Sequence, residues 1–369
     1  MLVAACLCGF CIAPISAAAA STAVASAQRV LVGAIRWDGW HGSQSEVGRV
    51  LQTTLDPIQW RYRLPFYARI SPDGHVEIDG SSQQVVDEEI RQASAAGLDY
   101  FAFVTYPAGT PMSLGLDRYL SSPIRSRIHF CLITEALRWK DPAFRKRVED
   151  LMAEPGYLTV LNRRPVLFLG FLDEDTIAAQ WGSARAFRKA LDDLRRNLRR
   201  RGFGELYLVI MDFHAVPGAL WAERLGADAI SAYATEGGGR GAPYAALAAH
   251  TEHFWNDCLK TGRHVVPLVM TGWDRRPRVM HPHPWEPWQK PGVGIEKYYQ
   301  TATPQEIAEH LLHAIRWIGS HADADPPRLI LIYAWNENDE GGWLVPTVAE
   351  GNARLRALRA ALERVRMPK

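Results

Sequence analysis

A chain of 369 residues has room for one large domain or two of average size, and α/β barrels often fill that length as a single unit. With 42 Lys+Arg against 40 Asp+Glu, a formal charge of +2 gives no electrostatic ground for a nucleic-acid or anionic-membrane partner. Hydrophobic residues make up 47% and charged residues 22%, the balance of a globular chain and not of a disordered one.

The first element is a targeting segment. Residues 2–15 form a short apolar run, followed by small residues and Ala25-Ser26-Ala27. Signal peptidase requires that spacing of small residues after an apolar stretch. Residues 1–27 are therefore expected to be an export signal cleaved near Ala27, leaving 28–369 as a periplasmic or secreted chain, although no Lys or Arg precedes the run. No later stretch approaches the ~20 apolar residues of a membrane span. Of the cysteines beyond this segment, Cys131 lies in a predicted core strand and Cys258 near the end of a predicted helix. Those places favour buried free thiols over a disulfide.

Eight apolar runs then predict core strands at 30–36, 99–105, 127–134, 165–171, 206–212, 229–234, 265–271 and 329–335. They are short and continuous, as suits strands covered on both faces. Amphipathic stretches at 83–96, 141–152, 183–201, 217–225, 242–259, 304–320 and 352–365 predict helices between and after them. Strand and helix in repeated alternation predict a parallel sheet, and eight repeats predict a (β/α)8 barrel in one domain. The connections after the first and seventh strands are long. Within the first, 64–78 reads as a hairpin about Pro72-Asp73-Gly74; the second, 272–303, is rich in proline and aromatic residues. Barrel enzymes build their sites on loops that follow the strands, so both insertions belong to the functional end. The arginine-rich run 195–201 reads as the solvated end of a helix.

Chemistry concentrates after the last strand. The apolar run 329–335 passes abruptly into Asn336-Glu337-Asn338-Asp339-Glu340-Gly341-Gly342-Trp343. Crowded carboxyls at a strand end repel one another, and repulsion with partial burial raises the pKa of at least one. Glycoside cleavage needs that division between a protonated and an ionised carboxyl. A hydrated acidic loop or a cation site is the alternative, but Trp335 and Trp343 on both sides favour catalysis. The chain holds 13 Trp, and composition alone does not separate core tryptophans from sugar-stacking ones.

The run Tyr333-Ala334-Trp335-Asn336-Glu337-x-x-Glu340-Gly341-Gly342-Trp343-Leu344-x-Pro346-Thr347 resembles the Asn-Glu-Trp-x-Glu-Gly signature of glycoside hydrolase family 99 and the related WbsX-type polysaccharide proteins. Trp37-Asp38-Gly39-Trp40-His41, Gly97 to Phe103, and Gly272-Trp273-Asp274-x-x-Pro277-Arg278 resemble further motifs of that group in the same order. The resemblance implies a (β/α)8 barrel and retaining hydrolysis of α-mannosides within a chain. Glu337 would be the base that deprotonates the sugar 2-hydroxyl, and Glu340 the general acid. Asn338-Asp339 stand where the family has Trp and often His, which leaves sugar and linkage open.

Candidate sugar contacts are Trp37, Trp40, His41, Tyr106, Glu135, Trp139, Asp212, Tyr233, Trp273, Asp274, Trp335, Asn336 and Trp343, all at or near strand ends. Glu135 could bind hydroxyls or pair with Glu340, or simply cap a helix. Gly237 to Gly241 lacks the Gly-Lys-Ser/Thr of a phosphate loop, and His281-Pro282-His283 lacks a third ligand, so neither cofactor nor metal is expected. The expected partner is a poly- or oligosaccharide. The alternatives are a sugar-transferring assembly protein and a carbohydrate-binding barrel without catalysis.

Overall fold

A computed structural model describes residues 29–43 and 45–366, so the expected export signal lies outside the described residues. Nine parallel strands form the main sheet: β1 (Leu31–Arg36), β2 (Tyr100–Val104), β3 (His129–Glu135), β4 (Arg164–Gly170), β5 (Tyr207–Met211), β6 (Ala229–Ser231), β7 (His264–Val265), β8 (Leu268–Met270) and β9 (Leu329–Tyr333). Their order is β7-β6-β5-β4-β3-β2-β1-β9-β8, with the short strand Thr159–Val160 added antiparallel to β4. The sheet curls with its helices outside, an α/β barrel architecture.

All eight predicted strands are present, and the seventh is divided. Pro267 has no N–H to give to a ladder, so pairing breaks there and resumes at Leu268. On one side of the break Val266 N donates to Ile230 O at 2.9 Å, and on the other Leu331 N donates to Pro267 O at 3.0 Å. The predicted hairpin forms as Arg69–Ile70 paired with Val76–Glu77.

The helices follow their caps. Ser82, Asp141, Ser183 and Thr303 each accept a backbone N–H at the start of Gln83–Ala95, Pro142–Met152, Ala184–Arg200 and Pro304–Ser320, and Glu306 completes a capping box with Thr303. In Ala184–Arg200, Phe187, Leu191, Leu194 and Leu198 recur at three- and four-residue intervals on the buried face. Arg195 departs from the expected solvated end. It is buried, and its Nη2 donates to Leu225 O at 3.2 Å and Gly226 O at 2.7 Å, capping the carbonyl end of helix Ala215–Leu225. Cys131 and Cys258 are both buried free thiols, as expected. Among the described residues no helix is long and apolar enough to cross a membrane.

Because the strands are parallel, the residues that follow them share one end of the sheet. Trp37, Tyr106, Asp212, Tyr233, Trp273 and Glu337 follow β1, β2, β5, β6, β8 and β9 there, and Glu135 is the last residue of β3. Inside the sheet, the ring of Tyr100 lies across Gly33, and its hydroxyl donates to Ile330 O at 2.8 Å. A methyl group on Gly33 would overlap that ring. Gly33→Ala is expected to lose about 1–3 kcal/mol of stability by overpacking, read as a lower urea midpoint at unchanged slope. An unchanged midpoint would mean that the ring yields freely.

Candidate active site

The end of β9 turns back on itself. Asn336–Glu337 pairs antiparallel with Gly342–Trp343, enclosing the single 3₁₀ turn Asn338–Glu340. Gly341 closes the turn at φ +83°, a left-handed conformation suited to glycine. A Cβ there would lie 2.6 Å from Asp274 N, which donates to Glu340 O at 2.7 Å. Neighbouring glycines give the chain close access to itself: Gly272 packs on the Gly341 carbonyl and Gly342 on the Tyr333 ring. The hairpin is thereby welded to the loop that follows β8.

That loop supplies the counter-charges. Arg278, on the short helix Arg276–Met280, is buried among carboxylates. Its Nε donates to Asp339 Oδ2 at 2.9 Å, its Nη1 pairs with Glu340 and lies 3.2 Å from Glu286 Oε1, and its Nη2 is 3.7 Å from Glu337 Oε2. Arg275 reaches the same group, 2.9 Å from Glu340 Oε1 and 2.6 Å from Glu286 Oε2. Two tyrosines complete the set. Tyr233 donates to Glu337 Oε1 at 2.5 Å, and Tyr333 donates to Glu340 Oε2. Glu337 Oε2 makes no hydrogen bond within the described residues.

Burial pushes the Glu337 carboxyl well above the usual range, and the neighbouring Glu340 pushes it further. Arg278 opposes both without cancelling them. His283 stands 3.7 Å from Asp339 Oδ2, yet burial and the charge of Arg278 push its pKa down to about 2, so it adds no cation. Asp274 answers to other arginines: it pairs with Arg63 and receives Arg276 Nε at 2.8 Å, and its carboxyl is held low despite burial.

The sequence candidates divide into a ring around this cluster and a layer of support beneath it. Trp37, Tyr106, Tyr233 and Trp273 surround the carboxyls. Trp37 Nε1 donates to Tyr106 Oη at 2.8 Å, Arg278 lies over the Trp37 ring at 5.5 Å, and Trp273 packs on Tyr333 at 5.7 Å. Asn336 clamps the backbone of Trp37, accepting from its N–H at 3.0 Å and donating to its carbonyl at 2.6 Å. Trp40, His41, Trp139, Trp335 and Trp343 present no more than 1% of their surface to solvent. As placed, they cannot be stacking walls. Trp40 Nε1 donates to Asn336 O at 2.7 Å, Trp139 Nε1 to Thr134 Oγ1 at 3.0 Å, and Trp335 Nε1 to Glu89 Oε1 at 3.0 Å. Trp343 carries the Arg354 guanidinium on its face at 3.7 Å, and His41 lies 3.1 Å from Arg36 Nη2. Glu135 pairs with Arg138 at 3.1 Å, and Asp212 is partly buried with its carboxyl raised by that burial. Arg275, Arg278, Glu286 and Tyr333 were not singled out as site residues. Arg278 stood in the Gly272-to-Arg278 motif, but a lone arginine carries no mark of which distant acids it will meet.

No protein-family model matches the sequence, and no curated protein does. Solved structures do. Two structures of the family 99 glycoside hydrolase endo-α-mannosidase from Bacteroides thetaiotaomicron, one in complex with bis-tris-propane, align with TM-scores of 0.55 and 0.54. The alignments cover 90% and 91% of this chain and 95% and 98% of theirs, at 14% and 13% identity. The chain has the fold of these family 99 enzymes. At that identity the likeness is one of architecture, and the family 99 fold sets the frame in which the Glu337 hairpin is held.

Glu337→Gln removes a carboxyl whose ionisation burial opposes. A raised folded pKa means that the native state binds more protons than the unfolded chain between the two pKa values, so the penalty grows as pH rises from ~4.3. The variant is therefore expected to melt higher than the parent at pH 8, by on the order of 2 °C, with the gain vanishing near pH 4. A gain that grew on acidification would contradict the assignment.

Proposed function

We propose that this chain is a glycoside hydrolase acting on a poly- or oligosaccharide, with Glu337 and Glu340 as its working carboxyls. The observation that carries the reading is the pair itself: two buried acids at the end of β9, each taking a tyrosine hydroxyl, with Arg278 between them. The family 99 fold supports it. The proposal includes a closed eight-strand ring in which 264–270 is one interrupted strand, supported by its bonds to β6 on one side of Pro267 and to β9 on the other. It also includes export, for which the apolar start and Ala25-Ser26-Ala27 speak.

A raised pKa makes Glu337 a stronger base than an ordinary carboxylate once it is ionised. Tyr233 occupies Oε1, while Oε2 carries no hydrogen bond but is buried, so a substrate hydroxyl meets it only once the covering residues move aside. In the retaining route, Oε2 takes the proton of the sugar 2-hydroxyl, O2 attacks C1, and the leaving oxygen takes a proton from Glu340. Water then opens the epoxide-like intermediate with the two roles reversed. In the resting arrangement neither oxygen of Glu340 is free, since Arg275 and Arg278 hold Oε1 and Tyr333 donates to Oε2. Donation by Glu340 therefore requires the loop carrying the two arginines to draw back when substrate enters. The same ion pairs favour a second reading, a sugar-binding barrel in which Glu340 is only structural.

Purified protein is to be incubated with a panel of α-mannans and other bacterial glycans, with products read by mass. Glu337→Gln should abolish release of all products. Glu340→Gln should cripple substrates with poor leaving groups while sparing activated aryl glycosides, and a 2-deoxy substrate should not turn over. The acid limb of kcat/KM should lie above the usual carboxylate range, because Glu337 must ionise to act. Binding of a glycan without cleavage, unchanged in both variants, would favour the sugar-binding barrel. Normal turnover of the 2-deoxy substrate would reject attack by the 2-hydroxyl.

A further inference from the structure

The rim around Glu337 is not uniform. On the side of β8, β9 and β1, tryptophans and arginines pack over the carboxyls, and Trp37 and Trp273 each keep only 8% of their surface. On the side of β4 to β6 the rim is aromatic and open. Phe171 directly follows β4 and is 45% exposed, and Phe213 lies two residues beyond β5 and is 51% exposed. Phe171 has φ +55°, a left-handed conformation that bulky residues rarely take and that persists at sites where it serves a purpose. Its ring meets Tyr233 at 5.5 Å between centroids, and Tyr233 is the residue that bonds Glu337. Gly170, Phe171, Met211, Asp212, Phe213 and Tyr233 line a shallow depression of about 10 Å³, room for about one water or hydroxyl. Asp212 is one of those lining residues, and its carboxylate Oδ1 accepts from His214 N at 2.9 Å.

Phe213 also opens a second space. A groove of about 950 Å³ runs from Phe213 and His214 down between helices Ala215–Leu225 and Tyr244–Lys260. Its walls mix exposed apolar residues, Val216 and Leu220, with His250, His253 and Asp257. Flat apolar rings interleaved with hydroxyl-binding groups suit a pyranose, which has apolar C–H faces and a polar edge.

We propose that Phe171 and Phe213 form an aromatic sugar subsite beside Glu337, with Asp212 taking a hydroxyl in the depression between them. The glycan continues from there into the groove between the two helices. The inference rests on the glycosidase reading and adds to it the direction from which the polymer approaches: over β4 to β6, away from the arginine-bearing loop.

The test is binding of α-mannan and of short α-manno-oligosaccharides by the non-cleaving Glu337→Gln protein, with and without second substitutions. Phe171→Ala and Phe213→Ala should each weaken binding of both ligands by about tenfold, the scale of one aromatic contact. Phe213→Tyr should restore it. Leu220→Arg, further along the groove, should weaken binding of the polymer and spare the short oligosaccharides. Both phenylalanines are exposed, so melting temperatures should stay within a degree or two of the parent. Unchanged affinity in the alanine variants, for a glycan that the parent binds or cleaves, would overturn the subsite and leave the glycosidase reading standing. Failure of the wild-type chain to bind or cleave any glycan would overturn both.

Discussion

The site depends on one unequal balance: Glu286, Glu337, Asp339 and Glu340, all buried, are gathered around two guanidiniums, Arg275 and Arg278. A charge removed from water is costly unless paired. Arg278 touches or approaches all four acids, and His283, held neutral, adds nothing. Four carboxyls with two cations leave an excess of negative charge. Glu337, bonded only by the neutral Tyr233 hydroxyl and farthest from Arg278 among these ion pairs, is the group on which that excess falls. Burial, together with that shortage of cations, makes one of the carboxyls a good base.

Much of the surrounding chain serves to keep that balance in place. The close approach of Gly272 to Gly341 joins the β8 loop to the acidic hairpin, and that of Gly342 to the Tyr333 ring holds the hairpin on its own strand. Asn336 ties the hairpin to Trp37 through two hydrogen bonds, and Trp40 adds a third. Below them Arg36 binds Glu89 at 2.7 Å, and Glu89 accepts from Trp335 Nε1. The opposite side of the rim carries few such ties, which leaves Tyr233, Phe171 and Phe213 accessible.

The sheet was legible because each strand is covered on both faces and so reads as an unbroken apolar run; β1 to β6 and β9 fall within or close to the runs that predict them. The division at Pro267 was not anticipated, since 265–271 reads as one apolar run; the proline within it has no N–H to pair. The acids of the hairpin stood out because three carboxyls in four positions at a strand end are hard to place otherwise. Their partners did not stand out. Arg278 meets Asp339 and Glu340 across 61 and 62 residues, and nothing local in the sequence marks that pairing. Tryptophan misled for a related reason. Trp40, Trp335 and Trp343 have the composition of a sugar platform but use their N–H groups and faces on the chain itself. The exposed rings of the rim, Phe171 and Phe213, read in sequence as ordinary strand ends.

The central claim is that burial, reinforced by the excess of negative charge around Arg278, keeps a proton on Glu337. The most direct measurement is the infrared C=O stretch of a protonated carboxyl, isolated as the wild-type minus Glu337→Gln difference and followed through a pH titration. The account predicts that the Glu337 band persists well above the ~4.3 of an ordinary glutamate. Loss of the band at that ordinary value would contradict it.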